Sequence, residues 1–227
     1  MPSVATPPLS LGHDHPAISP GFRAAIQATL GTLPMPRLPD RAMLSPLPDP
    51  PMTSPPLQLL PLLEPGLLYG LLYYRGETTA WHWAFYVPDP DVLPIGTRGT
   101  AFSVERDAST GKWVFRVDSK RGVLAEPMLV AIVALGDLAP LGNYEEVVGQ
   151  DALLAMLRNV SIPRAGERPF SSKAWFMDAV GVLHDCGVIV CEDVWLLERE
   201  MSRCAFSAMN KYMDNRGWTA YRSMHCS

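Results

Sequence analysis

A histidine flanked by two tryptophans, in the segment Thr79–Pro88, is the first feature of this sequence that could support chemistry. Large apolar residues recur there at every second position, beginning with Trp81 and Trp83. This period of two predicts a buried strand over Ala80–Val87 and places His82 on the face opposite the tryptophans. Two interpretations of His82 stay open. It is either a polar strand residue satisfied by a neighbour or a member of a functional cleft.

The cysteines offer little further chemistry. All four, Cys186, Cys191, Cys204 and Cys226, lie in the last quarter of the chain. No secretory signal is recognisable, so we expect reduced thiols and a cytoplasmic protein. Their spacing, even with His184 and His225 nearby, matches no common zinc pattern, and glycine-rich phosphate loops are absent. We therefore expect no metal and no cofactor.

Length and charge narrow the class of protein. The chain has 227 residues, a hydrophobic fraction of 48% and a formal net charge of −4. These values predict one domain with an appendage and argue against nucleic-acid binding, which usually requires a basic surface. The longest apolar runs are far shorter than the roughly 20 residues of a spanning helix, so no membrane segment is expected.

The appendage is expected to be residues 1–66, which hold 16 of the 23 prolines. Proline removes a backbone donor and biases the preceding residue towards extended geometry, so this leader is predicted to be largely disordered or polyproline-like. Such segments bind aromatic grooves, and the leader is a candidate site for a protein partner. A short helix is predicted over 19–30, either as a docking peptide or as a weak helix on its own domain.

Residues 67–215 are predicted to form a single α+β domain, followed by a tail at 216–227. Five antiparallel strands are expected, then helices, an order that argues against a doubly wound parallel fold. The predicted strands are Gly66–Arg75, Ala80–Val87, Gly99–Arg106, Lys112–Val117 and Met128–Leu135. The predicted helices are Asp151–Leu157, Phe170–Gly187 and Glu192–Asn215, with Ser171 as the N-cap of the second. Four tryptophans are expected in the core between sheet and helices: Trp81, Trp83, Trp113 and Trp175.

Two sequence blocks carry a family resemblance: His82-Trp83-Ala84 with the strand Gly99–Val104, and the helix start Ser171–Phe176. Together they are similar to a group of uncharacterised fungal proteins with a His-Trp-Ala strand, a Gly-Thr-x-x-His-Val strand and an Asn-Cys-x-x-Trp-Val helix start. That group in turn resembles permuted papain-like folds, which include PPPDE peptidases, NlpC-type hydrolases and relatives of lecithin retinol acyltransferase. The resemblance covers roughly residues 67–190 and implies a papain-like core.

The resemblance also implies a site. In papain-like folds a strand histidine meets a cysteine at a helix start, where the helix N-terminus lowers the thiol pKa. The histidine corresponds to His82, the cysteine to Ser172, and the second-strand histidine to Ser103. Because a hydroxyl is far less acidic than a thiol, the resemblance favours a decayed site in an interaction or scaffold protein. The alternative is a hydrolase or acyl or peptidyl transferase with His82 as base and Ser172 as nucleophile.

Overall fold

The computed structural model describes residues 57–76, 80–164, 167 and 169–227. Most of the proline-rich leader and its predicted helix at 19–30 lie outside the described residues. All the elements that follow belong to the described part of the chain.

Seven strands form one mixed sheet in the order β1-β7-β6-β2-β3-β4-β5. Neighbouring strands are antiparallel except for β6 and β7, which are parallel. The predicted α+β class is confirmed, but the expected five-stranded antiparallel sheet is corrected to seven strands with one parallel pair. The strands are β1 Gln58–Leu60, β2 Leu67–Tyr74, β3 Trp81–Pro88, β4 Gly99–Arg106, β5 Trp113–Asp118, β6 Leu129–Asp137 and β7 Thr219–Arg222.

The two additional strands lie outside the predicted domain boundaries. β1 precedes residue 67, and β7 falls within the expected tail, where it inserts between β6 and β1. Leu59 pairs with Tyr221, and Ala220 pairs with Ile132, so both segments belong to the sheet. Three- and four-residue strands carry almost no periodic signal, and their pairing depends on distant parts of the chain. The folded region therefore begins earlier and ends later than the composition indicates.

Four α-helices follow or interrupt the strands, together with a short 3-10 turn at Ala139–Leu141. The longer helices match two predicted ones. Ser171 caps the third, since its side chain accepts a hydrogen bond from the N–H of Ala174 at 3.2 Å. The helices are α1 Tyr144–Val148, α2 Leu153–Arg158, α3 Ser172–Asp185 and α4 Val194–Met213.

The alternation of side chains gives the sheet two different faces. On one face Trp83 and Phe85 pack against α3, where the rings of Phe85 and Phe176 stack with centroids 4.1 Å apart. On the other face, Tyr73 and Tyr86 belong to a separate apolar cluster to which none of the four α-helices contributes a buried residue. We call this second surface the helix-free face. In the described residues, no helix is both long enough and apolar enough to cross a membrane.

Candidate functional site

His82 lies on the helix-free face. Its neighbours Trp81 and Trp83 belong to the cluster that packs against the helices, whereas Ala84, two positions along, belongs to the cluster on the other side. The His82 ring contacts the ring of Tyr73, its partner on β2, with centroids 5.9 Å apart. The sequence prediction that His82 faces away from the tryptophans is confirmed.

A small pocket opens beside His82 on this face, with a volume of about 110 Å³. One row of paired residues crosses it, from Ala84 on β3 to Ser103 on β4 and Arg116 on β5. We call it the His82 pocket. Its lining residues come from β2 to β5 and the following turn: Tyr73, His82, Ala84, Ala101, Ser103, Glu105, Arg116, Asp118 and Arg121.

The His82 imidazole is neutral at pH 7. Burial, together with the nearby positive charges of Arg75 and Arg121, lowers the pKa of His82 from 6.5 to about 4. Both arginines disfavour a second positive charge here. The lining of the pocket carries two arginines, Arg116 and Arg121, and two carboxylates, Glu105 and Asp118.

Arg121 is the best-anchored cation of the pocket. Its guanidinium contacts Glu126 at 2.5 Å and Asp118 at 3.8 Å, and its central carbon lies 5.6 Å from the centroid of the Tyr73 ring. Burial raises the pKa of Tyr73 to about 12, so its hydroxyl stays protonated as a donor. The buried Nε of Arg121 has no hydrogen-bond partner among the described residues.

Arg116 is more exposed and more weakly held. Half of its side chain is accessible, and its only ion pair within the described residues is to Asp107, at 3.5 Å. Exposed pairs of this kind contribute at most about 1 kcal/mol. The ion pair between Arg116 and Asp107 is therefore weak enough to be replaced by an ion pair between Arg116 and another carboxylate.

Ser172 is located elsewhere, on the helix side of the sheet. It is 1% exposed, and its Oγ accepts a hydrogen bond from the backbone N–H of Trp83 at 3.1 Å. β3 and β4 pair only from Ala84 onward, so Ser172 supplies Trp83 with the acceptor that β4 does not. Ser172 belongs to α3, which packs on the helix side of the sheet, whereas His82 lines the pocket on the helix-free face, and no hydrogen bond joins the two side chains within the described residues. The expected His82–Ser172 dyad is therefore not formed.

Ser103 occupies a different position from Ser172. Ser103 lines the His82 pocket and therefore lies on the helix-free face of the sheet, as His82 does. The structure thus places Ser103 in the same pocket as His82. From the sequence, Ser103 was considered only as the position of the family's second-strand histidine.

Several pocket residues were missed by the sequence analysis, namely Tyr73, Glu105, Arg116, Asp118 and Arg121. For two of them the sequence carries a pattern: in β5, Arg116 and Asp118 alternate with large apolar residues, which indicates that both charged side chains lie on one face of the strand. Their alignment with His82 depends on the β3–β4–β5 register, which a hairpin pattern alone does not define.

Within the described residues, no group of three or more His, Cys, Asp or Glu side chains is placed to hold a metal ion. The four cysteines are free. Comparisons with protein-family models, with curated proteins and with solved structures found no match for this chain.

Proposed function

We propose that this protein is a non-catalytic interaction protein that binds its partner through the His82 pocket on the helix-free face. The observation that carries this proposal is the position of Ser172. Its hydroxyl is buried and accepts the Trp83 N–H, and no hydrogen bond joins it to His82 within the described residues. A nucleophile in hydrogen-bond reach of its base is the first requirement of acyl-transfer chemistry, and this pair lacks it.

The papain-like origin of the domain is part of the same proposal. In support of it, α3 packs against β3, and the residue at the position of the family cysteine contacts that strand. We propose that the ancestral site decayed when the thiol was replaced, and that Ser172 was retained for its hydrogen bond. A cytoplasmic location and a second binding element in the proline-rich leader are proposed with it.

The chemistry of the His82 pocket favours a partner that presents a carboxylate in an extended segment. Burial, together with Arg75 and Arg121, keeps His82 neutral, so the imidazole adds no positive charge but can donate a hydrogen bond to a carboxylate. Arg116 is exposed at the outer strand of the sheet and holds only a weak ion pair. A volume of about 110 Å³ accommodates one side chain rather than a large ligand. An acidic side chain of a protein partner satisfies all three conditions.

Fluorescence anisotropy with labelled seven-residue peptides tests this proposal. Three peptides differ only at the central position, which is Glu, Gln or Lys. We expect the Glu peptide to bind most tightly, and the substitution Arg116→Gln to weaken its binding about 3- to 10-fold, the effect of one charge-assisted contact.

The matched control is Arg106→Gln, which removes the same charge from β4, one residue beyond Glu105 and so on the other face of the strand. It should leave the affinity unchanged. Equal binding of the Glu and Gln peptides, or an equal effect of the two arginine substitutions, would refute recognition of an acidic group at this pocket.

A second candidate function is a hydrolase in which Ser103 replaces Ser172 as the nucleophile. It is favoured by one observation, that Ser103 and the neutral His82 line one pocket together with Glu105. Its signature would be a reactive Ser103 whose reactivity depends on His82.

A further inference from the structure

Cys191 and Cys226 are cross-strand neighbours, although 35 positions separate them in the sequence. The segment after α3 runs antiparallel to the segment 223–227, and the two cysteines are partners in an isolated bridge. Next to them, the N–H of Val190 donates to the carbonyl of Ser227 at 2.7 Å, and the N–H of Ser227 donates to the carbonyl of Val190 at 3.0 Å.

This hydrogen-bond pattern defines the geometry of the cysteine pair. Val190 and Ser227 exchange both bonds, so the adjacent pair is of the non-hydrogen-bonded type. In such pairs the Cα atoms lie about 4.5 Å apart with their side chains on the same face. That separation falls inside the range of about 4.4–6.8 Å that a disulfide requires.

We propose that Cys191 and Cys226 are a redox-active dithiol, which a peroxide converts to a disulfide that ties the segment 223–227 to the turn between α3 and α4. This modification site is independent of the His82 pocket. The two other cysteines are placed differently. Cys204 is buried in α4, and Cys186 is exposed at the end of α3.

A small oxidant can reach the pair from one side. Cys226 lines an open pocket of about 310 Å³, together with Asp193, Met224 and His225. Cys191 lies behind it and is 2% exposed. Hydrogen peroxide is small enough to enter this pocket, and once one sulfur is oxidised the neighbouring thiol is the nearest nucleophile.

The chemical step is balanced with peroxide as the oxidant. One thiolate attacks a peroxide oxygen, the O–O bond breaks, and a sulfenic acid forms as hydroxide leaves and takes up a proton. The second sulfur then attacks the sulfenic sulfur, the S–S bond forms, the S–O bond breaks, and the hydroxyl leaves as water. In total, two thiols lose two electrons and two protons, and one peroxide becomes two waters.

The surroundings favour a thiolate at one member of the pair. A hydrogen bond with the Cys226 thiol lowers the pKa of Cys191, and the same interaction together with burial raises the pKa of Cys226. Cys191 is therefore the better nucleophile and attacks peroxide that enters past Cys226, and Cys226 keeps its proton for the water that leaves.

The segment 223–227 is already held in position by a buried carboxylate. Glu200 on α4 accepts from the Ser223 hydroxyl at 2.6 Å and from the N–H of Met224 at 2.9 Å. Ser223 Oγ in turn accepts from the N–H of Cys226 at 3.0 Å. This network holds the backbone of Cys226 beside Cys191, in the pairing that the disulfide would join.

Peptide mapping of the full chain tests the proposal. The protein is treated with hydrogen peroxide, quenched in acid, alkylated and digested with trypsin. We expect a linked pair of peptides, 174–199 with 223–227, that disappears on reduction. We also expect the melting temperature to rise by about 8–15 °C on oxidation, as a closed loop of this length implies.

Because peptide 174–199 contains both Cys186 and Cys191, the decisive variant is Cys186→Ser at the exposed position. It should give the same linked peptides, whereas Cys226→Ser should give none. The proposal is overturned if oxidised wild-type protein shows no 174–199 to 223–227 link, if Cys204 forms the link instead, or if the link is lost in Cys186→Ser.

Discussion

The burial of His82 in neutral form predicts a specific dependence of stability on pH. Its pKa is about 4 in the folded protein, against 6.5 in the unfolded chain. Between these values the unfolded state binds more protons, so the stability that depends on a neutral His82 is complete above pH 6.5. It is lost as the pH falls towards 4.

The size of the effect follows from the two pKa values. A change of one pH unit across this window corresponds to about 1.4 kcal/mol, so the loss between pH 7.5 and pH 4.5 is about 2–3 kcal/mol. The substitution His82→Gln removes the titrating group but keeps a polar side chain of similar length. Other groups that titrate in this range contribute equally to both proteins and cancel in the comparison.

Urea unfolding at a series of pH values, followed by fluorescence and by circular dichroism, measures this difference. The free energy of unfolding of wild-type protein should fall by about 2–3 kcal/mol more than that of His82→Gln between pH 7.5 and pH 4.5. Coincident unfolding curves from both probes serve as the control for two-state behaviour. If the two proteins lose stability equally, to within about 0.5 kcal/mol, the reasoning about His82 burial is refuted.

Two substitutions on and beside β3 test the structural roles assigned here. Ser172→Ala leaves the buried N–H of Trp83 without its acceptor, and should reduce the free energy of unfolding by about 1–3 kcal/mol in urea titrations; Ser103→Ala, made in an open pocket, is its control and should change stability little. Gly99→Ala would place a methyl group against the carbonyl of Val87 and the ring of Tyr86, and should cost about 2–3 kcal/mol, measured as a lower thermal midpoint. Unchanged stability in either variant would contradict the packing described.

Much of the fold was predictable because its middle strands carry their own signals. The hairpin of β4 and β5, joined by the turn at Asp107–Gly111, has alternating residues on both sides and was placed almost to the residue. The strands β1 and β7 were not predictable from local pattern. Their three and four residues gain their stability from pairing with β6 and with each other, an arrangement set by the tertiary fold.

The candidate site was only partly predictable, for a different physical reason. The period of two correctly separated His82 from the tryptophans, and the tryptophans were correctly expected to face the helices. Those two statements already place the start of α3 on the side of β3 that His82 does not face. The family resemblance nevertheless paired His82 with Ser172, whereas in the structure the Ser172 hydroxyl binds the backbone N–H of Trp83 and His82 lines a pocket on the helix-free face. The arginines of the pocket required the strand register, which only the folded structure supplies.

Covalent labelling with a fluorophosphonate tests the central claim, that this domain binds rather than catalyses. The probe reacts with activated serines, and mass spectrometry of the digested protein identifies the modified residue. We predict no adduct at Ser172 or Ser103, in wild-type protein or in His82→Gln, while a serine hydrolase labelled in parallel reports that the probe is active. An adduct at either serine that forms in wild-type protein and disappears in His82→Gln would contradict the account and establish an acyl-transfer site.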